Sequence, residues 1–199
     1  MGKLIDATAD LVRRDQVMTF GEAANAAWQG WAQVASGELS PGLMTHFASL
    51  DRVLSGLQPG ELVIPAGDTS AGKTALCGNI AENVCMNGGT CFFVSREMLP
   101  ATIGRRFLQA AARVSGRSLR WPQIKEFTDW QALAQAAAAI QQHMGVIDSR
   151  ASTVEEVAAA AEHWREQWGR MDLVVVDYIQ RVRGQGRSRA EEVSKIAWD

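Results

Sequence analysis

The rhythm of apolar and polar positions changes along this chain. Residues 1–18 show weak periodicity and mixed charge, which predicts a loosely packed start. Thr19-Phe20-Gly21-Glu22 then reads as a capping box, in which a hydroxyl and a carboxylate three residues apart satisfy orphan backbone donors. In GEAANAAWQGWAQVAS the residues Ala24, Trp28, Trp31 and Ala35 fall on one face, so a helix is expected over 21–36. A stripe with two tryptophans needs a surface, offered either by its own chain or by a neighbouring subunit. Ser36 to Gly42 is a break rich in turn formers. Residues 1–40 are therefore expected to form an arm and linker helix ahead of a body over 41–199.

From residue 60 short unbroken apolar runs alternate with helical stretches. Leu62-Val63-Ile64-Pro65-Ala66 predicts a strand, and the spacing of Leu76, Ile80 and Val84 predicts a helix over 73–86 that stops at Asn87-Gly88-Gly89. Cys91 to Val94 is a second strand. Pro100 opens a helix carrying Ile103, Phe107 and Val114, which Ser115-Gly116 ends. Thr128 to Gln131 is another capping box, heading a helix with Trp130, Leu133, Ala137, Ile140 and Met144 on one face. Gly145 to Asp148 is a brief strand. Ser152 to Glu155 caps a helix bearing Val154, Val157, Ala161, Trp164 and Trp168, and Leu173 to Asp177 is the strongest strand signal. Continuous apolar runs mean strands covered on both faces, and strand–helix alternation means a mostly parallel sheet flanked by helices. The predicted class is α/β.

Composition removes other classes. With 199 residues, 47% hydrophobic and 21% charged, the chain is long enough for a core and too apolar for a disordered segment. Twenty Lys and Arg against 22 Asp and Glu give a net charge of −2, so nucleic acid could be held only by a local patch. No 18-residue apolar stretch predicts a membrane span, and the start has no secretory pattern. Cys77, Cys85 and Cys91 lack metal-ligand spacing and read as reduced core thiols, which points to a cytoplasmic protein. His46, His143 and His163 are scattered, the tryptophans read as packing residues rather than base-stacking platforms, and Met98 reads as core filler.

Gly67-Asp68-Thr69-Ser70-Ala71-Gly72-Lys73-Thr74 matches GxxxxGK[ST] at every fixed position, after a predicted strand and at the start of a predicted helix. Backbone N–H groups of such a turn, added to a helix N-terminus, make a concave anion site. Lys73 adds a point charge for β/γ-phosphates, and the Thr74 hydroxyl is a hard oxygen for Mg2+. Asp177 ends a buried parallel strand, at the edge where such sheets bind ligands, and reads as the Mg2+-orienting carboxylate or as a simple turn residue. Glu97 leaves the 91–94 strand by the same edge. From spacing alone it suits either a general base, provided its strand lies beside that of Asp177, or a solvated first-turn glutamate. Arg181, Arg183, Arg187 and Arg189 follow Asp177 in a Gly-containing loop without an acid, a footprint for phosphate-backbone contact or a solvated basic loop.

The stretches SLDRVLSGLQPGELVIPAGDTSAGKTALCGNIAEN, FFVSREM and VVVDYIQ together resemble the motor domain of DnaB-type replicative helicases, over roughly residues 19 to 199. The resemblance implies a RecA-like P-loop NTPase core, preceded by a linker helix at 21–36 that docks on the adjacent subunit of a hexamer. It implies ATP hydrolysis with Mg2+, coupled to translocation on single-stranded DNA, and a primase or helicase loader as partner. By position it assigns Gly67 through Ala75 to the nucleotide, with Lys73 on phosphate and Thr74 and Asp177 on Mg2+. Glu97 becomes the catalytic glutamate, Arg106 an arginine used at the nucleotide, and the loop of Arg181 to Arg189 a DNA contact facing the central channel. RecA/RadA or KaiC-like ATPases, and a non-catalytic module that binds a helicase, are the alternatives.

Three departures stand out. The family's SLEM is here Ser95-Arg96-Glu97-Met98, which sets a cation beside the proposed base and would lower its pKa if the side chains meet. Pro65 lacks a ladder donor within the predicted 62–66 strand. The chain also stops at Asp199, in a stretch that reads as an uncapped helix. The family continues from there to a strand with a γ-phosphate sensor and to an arginine finger. That strand would sit between 62–66 and 173–177, so its absence predicts unpaired backbone there, a cut protein or a gap filled by something else, and weak or no turnover by this chain alone.

Overall fold

A computed structural model describes residues 17–125, 127–179 and 182. The sequence expectations for the start of the chain, for Arg181, Arg183, Arg187 and Arg189, and for the last helical stretch lie outside the described residues. Two compact units divide the chain at residues 64 and 65.

In the first unit, α1 (Phe20–Ala35) is built by local signals alone. Thr19 Oγ1 accepts from Glu22 N at 3.3 Å, while Glu22 Oε2 accepts from Thr19 N at 2.8 Å. That reciprocal cap is the one the sequence predicts, yet no residue of α1 is buried, and Trp28 and Trp31 are 68% and 71% exposed. Farther on, α2 (Ala48–Leu54) is anchored by Asp51, whose carboxylate accepts from Thr45 N at 2.8 Å, Thr45 Oγ1 at 2.7 Å and His46 N at 2.9 Å. These bonds hold its carboxyl below the usual range despite partial burial. Leu43 and Leu57 pair in an antiparallel bridge. Beside it Gly56 takes φ +82° and lies so close to Gly42 that a Cβ would fall 2.8 Å from the Gly42 carbonyl carbon, so only glycine fits.

The second unit follows strand–helix order: α3 (Lys73–Met86), β1 (Thr90–Ser95), α4 (Pro100–Ala111), α5 (Trp130–Ile140), β2 (Met144–Asp148), α6 (Val154–Trp168) and β3 (Leu173–Asp177). The strands are parallel in the order β2-β1-β3. β1 is central and buried along its whole length, as its TCFFVS run requires. Its side chains alternate between two cores. Cys91 and Phe93 pack with Ala81 and Cys85 of α3 and Ile103 of α4, whereas Phe92 and Val94 pack with Ala151 and with Val157 and Trp164 of α6. This is the α/β layering expected of the sequence.

The start of the β1–β3 pair is clamped. Asp172 Oδ2 accepts from Thr90 N at 2.7 Å and from Thr90 Oγ1 at 3.1 Å, and Thr90 Oγ1 accepts from Asp172 N at 2.9 Å. Five residues later the register sets Ser95 opposite Asp177.

Several local expectations are corrected. Residues 62–66 form no strand, and Leu62, Val63 and Ile64 are 60%, 46% and 56% exposed. A strand exists through its ladder; among the described residues none pairs with this run, and Pro65 would withhold a donor from one. The helix from Pro100 ends at Ala111, before Val114, and the helix from Trp130 ends at Ile140, so Met144 opens β2 instead. The α5 cap is Asp129, which accepts from Ala132 N at 3.1 Å, rather than Thr128. The α6 box runs from Thr153 to Glu156, one residue beyond the predicted pair. Each cap shift exchanges one good capping residue for its neighbour.

Candidate functional site

The turn before α3 is shaped by two left-handed residues, Ser70 at φ +66° and Gly72 at φ +96°. Gly72 takes that conformation without cost, and it is the N-cap of α3 with no side chain over the helix end. The first intrahelical bond is Leu76 N to Gly72 O at 2.9 Å, so the N–H groups of Lys73, Thr74 and Ala75 have no acceptor within the helix. Three donors at a positive helix end, open to solvent, form an anion seat. Lys73 lies over the same turn, its Nζ donating to Gly67 O at 2.7 Å and Asp68 O at 2.8 Å.

Thr74, one residue inside the helix, donates through Oγ1 to Asp177 Oδ1 at 3.2 Å. These residues are 103 positions apart in sequence, and the β1–β3 register and the packing of α3 bring them together. Asp177 is 5% exposed, and its Oδ2 is buried with no hydrogen-bond partner. Burial pushes its carboxyl above the ordinary range and the charge of Glu97 adds to this, while the Thr74 hydroxyl, Arg106 and Lys73 oppose the rise. The same Asp177 charge, after burial, helps push the Cys77 thiol up.

A buried carboxylate oxygen without a donor is costly unless a cation faces it. One hydroxyl and one carboxylate beside an anion seat are the donor set with which proteins hold Mg2+ shared with phosphate. Among the described residues no group of three or more His, Cys, Asp or Glu gathers around a common point. The residues present fit Mg2+.

Glu97 stands two residues past Ser95, the register partner of Asp177, and is exposed at the same sheet edge. The adjacency of β1 and β3, on which its reading as a base depended, is present. Arg106 lies on α4 and lines a cavity of about 400 Å3 with Thr74, Gly78, Asn79 and Phe107. Gly78 matters to this cavity's wall: a Cβ there would meet Phe107 Cε1 at 3.0 Å.

Arg96 does not reach toward Glu97's carboxylate for its partners. Its Nη1 donates to the carbonyls of Ser149 and Arg150, at the end of β2, and its backbone N–H bonds Asp177 O at 2.8 Å. It thus braces all three strand ends at the site edge, a role the sequence pattern concealed. Glu82 was also missed. It sits on α3, 7% exposed, with Oε1 buried and unpartnered, and burial pushes its carboxyl up to about 7. No periodicity reveals which polar position of a helix its neighbours will cover.

Comparison with known proteins bears on the family and the fold. The family described as DnaB-like helicase C terminal domain matches residues 42–199. A replicative DNA helicase DnaB of Geobacillus stearothermophilus is 34% identical over 167 residues, 81% of this chain and 36% of the relative. One from Nostoc sp. is 33% identical over 160 residues, 78% of this chain and 18% of the relative. The chain thus spans about a third or less of these relatives' length. Among solved structures, one described as an ATPase domain superposes with a TM-score of 0.80 at 22% identity, covering 89% of this chain and 65% of that one. A DnaB-like replicative helicase described with its interactions with primase gives 0.76 at 20% identity, over 98% and 52%. Both likenesses establish the fold. Among the described residues no helix is long and apolar enough to cross a membrane.

Proposed function

This chain belongs to the family of DnaB-like helicase C-terminal domains, and from that membership we propose that it carries the cis half of the ATP site of a DNA helicase motor. The observation that carries the proposal is the Thr74–Asp177 pair beside an open helix N-terminus, with Asp177 Oδ2 buried and lacking a donor. In this reading the N–H groups from Gly67 to Ala75 cradle the β- and γ-phosphates, and Lys73 neutralises them. Thr74 and Asp177 would hold Mg2+, which when bound with the nucleotide offsets phosphate charge. Glu97 orients and deprotonates the attacking water, and its exposure at the sheet edge leaves it access to solvent. Arg106 lies on the wall next to Thr74, where it can meet a phosphate oxygen.

Hydrolysis so catalysed would drive translocation on single-stranded DNA. Arg181, Arg183, Arg187 and Arg189 would contact the strand, the subunits would assemble as a hexamer, and a primase or loader would be the partner. Titration of the purified chain with a fluorescent ATP analogue, with and without Mg2+, tests the core of this reading. Saturable binding strengthened by Mg2+, lost in Lys73→Ala and made Mg2+-independent in Asp177→Asn, is the expected result. Binding that ignores both Mg2+ and Lys73 would overturn it.

A further inference from the structure

Two of the three free cysteines meet at the end of α3 remote from the anion seat. Cys85 lies in the last turn of α3 and Cys91 is the second residue of β1, and both belong to the core cluster between that helix and the sheet. Their thiols are hydrogen-bonded to each other, with Cys91 donating to the Cys85 sulfur, and Cys85 Sγ in turn donates to Met144 O at 3.8 Å. Gly145 makes room for this contact. It is the register partner of Cys91 on β2, and a Cβ there would lie 3.1 Å from Cys85 Sγ and 3.7 Å from Cys91 O. A helix and two strands therefore converge on one sulfur.

A buried thiol that stands alone in an apolar core is inert filler. Two thiols in contact are a different chemical object, because the second can resolve what the first begins. Sulfurs in hydrogen-bond contact need to close by about 2 Å to bond, a step that side-chain rotation can supply. The turn between them is fixed: Gly88 N bonds Cys85 O at 3.1 Å and Gly89 N bonds Val84 O at 2.9 Å. Both sulfurs are shielded, Cys85 being 9% and Cys91 2% exposed, but the cover over Cys85 is thin. Met144, whose carbonyl it meets, is 37% exposed, and Gly145 is exposed.

The two thiols are also unequal. The bond from Cys91 holds the Cys85 thiol below its ordinary range, against burial and the charges of Asp172 and Glu82. The same bond, together with burial, pushes the Cys91 thiol well up. That order makes Cys85 the attacking sulfur and Cys91 the resolving one.

We propose that Cys85 and Cys91 form an oxidisable dithiol, a modification site that a peroxide closes to an intramolecular disulfide. The Cys85 thiolate attacks one peroxide oxygen, the O–O bond breaks, and the departing hydroxide takes up a proton to leave as water. Cys85 is then a sulfenic acid. The Cys91 sulfur attacks the Cys85 sulfur, the S–O bond breaks, and the hydroxide leaves with the Cys91 proton as a second water. Two thiols thereby give two electrons to one peroxide. The bond fastens the helix that carries the anion seat to the central strand. It replaces the reading of these two cysteines as reduced core thiols, and it stands apart from the ATP site.

The test exposes the folded chain to hydrogen peroxide, quenches it, then unfolds and alkylates the chain and reads its intact mass. The Cys77→Ser chain leaves both sulfurs in place. It is expected to yield a monomer lighter by two hydrogen atoms with no alkylated cysteine, and reduction before alkylation is expected to restore two. Cys91→Ser is expected to stop at the sulfenic acid, trapped by dimedone, and Cys85→Ala to form neither product. Two alkylated cysteines in the peroxide-treated Cys77→Ser chain would overturn the proposal. So would disulfide-linked dimers in place of the lighter monomer, and so would closure seen only where circular dichroism shows the chain unfolded.

Discussion

Asp172→Ala removes the acceptor on which the start of the β1–β3 pair rests. Asp172 Oδ2 takes the Thr90 backbone N–H at 2.7 Å and the Thr90 hydroxyl at 3.1 Å, and Thr90 is 0% exposed, so water cannot replace the lost acceptor. Orphaning a buried donor costs about 1–3 kcal/mol. The hydroxyl can turn and still accept from Asp172 N, which limits its share. Arg170 also loses its ion-pair partner at 3.4 Å, but its side chain is 23% exposed and regains water, adding little. The sum is about 3 kcal/mol, a large part of the stability of an ordinary domain. Asp172→Asn keeps a neutral acceptor in place and is expected to cost about 1 kcal/mol. Urea unfolding followed by circular dichroism checks the order parent, Asn, Ala, at unchanged slope. An Ala variant within about 0.5 kcal/mol of the parent would refute the argument, because burial of Thr90 would then not require this carboxylate.

Two further outcomes are expected. Burial holds Glu82's carboxyl near 7 in the folded chain, above its ordinary 4.5, so the folded state binds the proton more tightly than the unfolded state. Its stabilising contribution is therefore complete below about pH 4.5, falls as pH rises through 7, and is gone above. Glu82→Gln is expected to be more stable than the parent at about pH 8 by on the order of 1–2 kcal/mol, with the gap closing near pH 4.5; equal urea midpoints at both pH values would count against it. Arg96→Leu, which restores the family's residue, removes the donor to the Ser149 and Arg150 carbonyls and also removes a buried, unpartnered Nε. The two effects partly offset, leaving a net loss of about 1 kcal/mol. Faster hydrogen exchange in the segment 149–153 is the diagnostic, and unchanged uptake there would show that Arg96 braces nothing.

The site was legible where chemistry and topology coincide. GxxxxGK[ST] between an extended run and a helix prescribes an anion seat, and a carboxylate ending a VVVD strand must emerge at the sheet's ligand edge. Hence Asp177 and Thr74 could be paired across 103 positions from sequence alone. The 62–66 run shows the limit. Its composition suits a strand, but strand formation depends on a partner that composition does not supply. Met144 lies four residues past Ile140 and so continued a helical stripe that the backbone had already left. At α6 two hydroxyls, Ser152 and Thr153, compete for one glutamate, and Glu156 in fact accepts from the backbone N–H groups of both, at 2.6 and 3.3 Å. Arg96 looked like an electrostatic intruder beside Glu97 because sequence adjacency says nothing of side-chain direction.

The Lys73 contacts have a consequence of valence. An ammonium carries three N–H bonds in a tripod, and two are engaged with Gly67 O and Asp68 O. A third remains, so in the proposed ATP site a phosphate oxygen would complete the tripod with both carbonyls still in place. On that proposal the loop's two oxygens and the bound anion would be tied through one nitrogen. A guanidinium presents its donors in one flat fork and cannot span that three-way arrangement. Lysine at this position fastens the turn through two carbonyls, and in the proposed site it would fasten the turn to its phosphate as well.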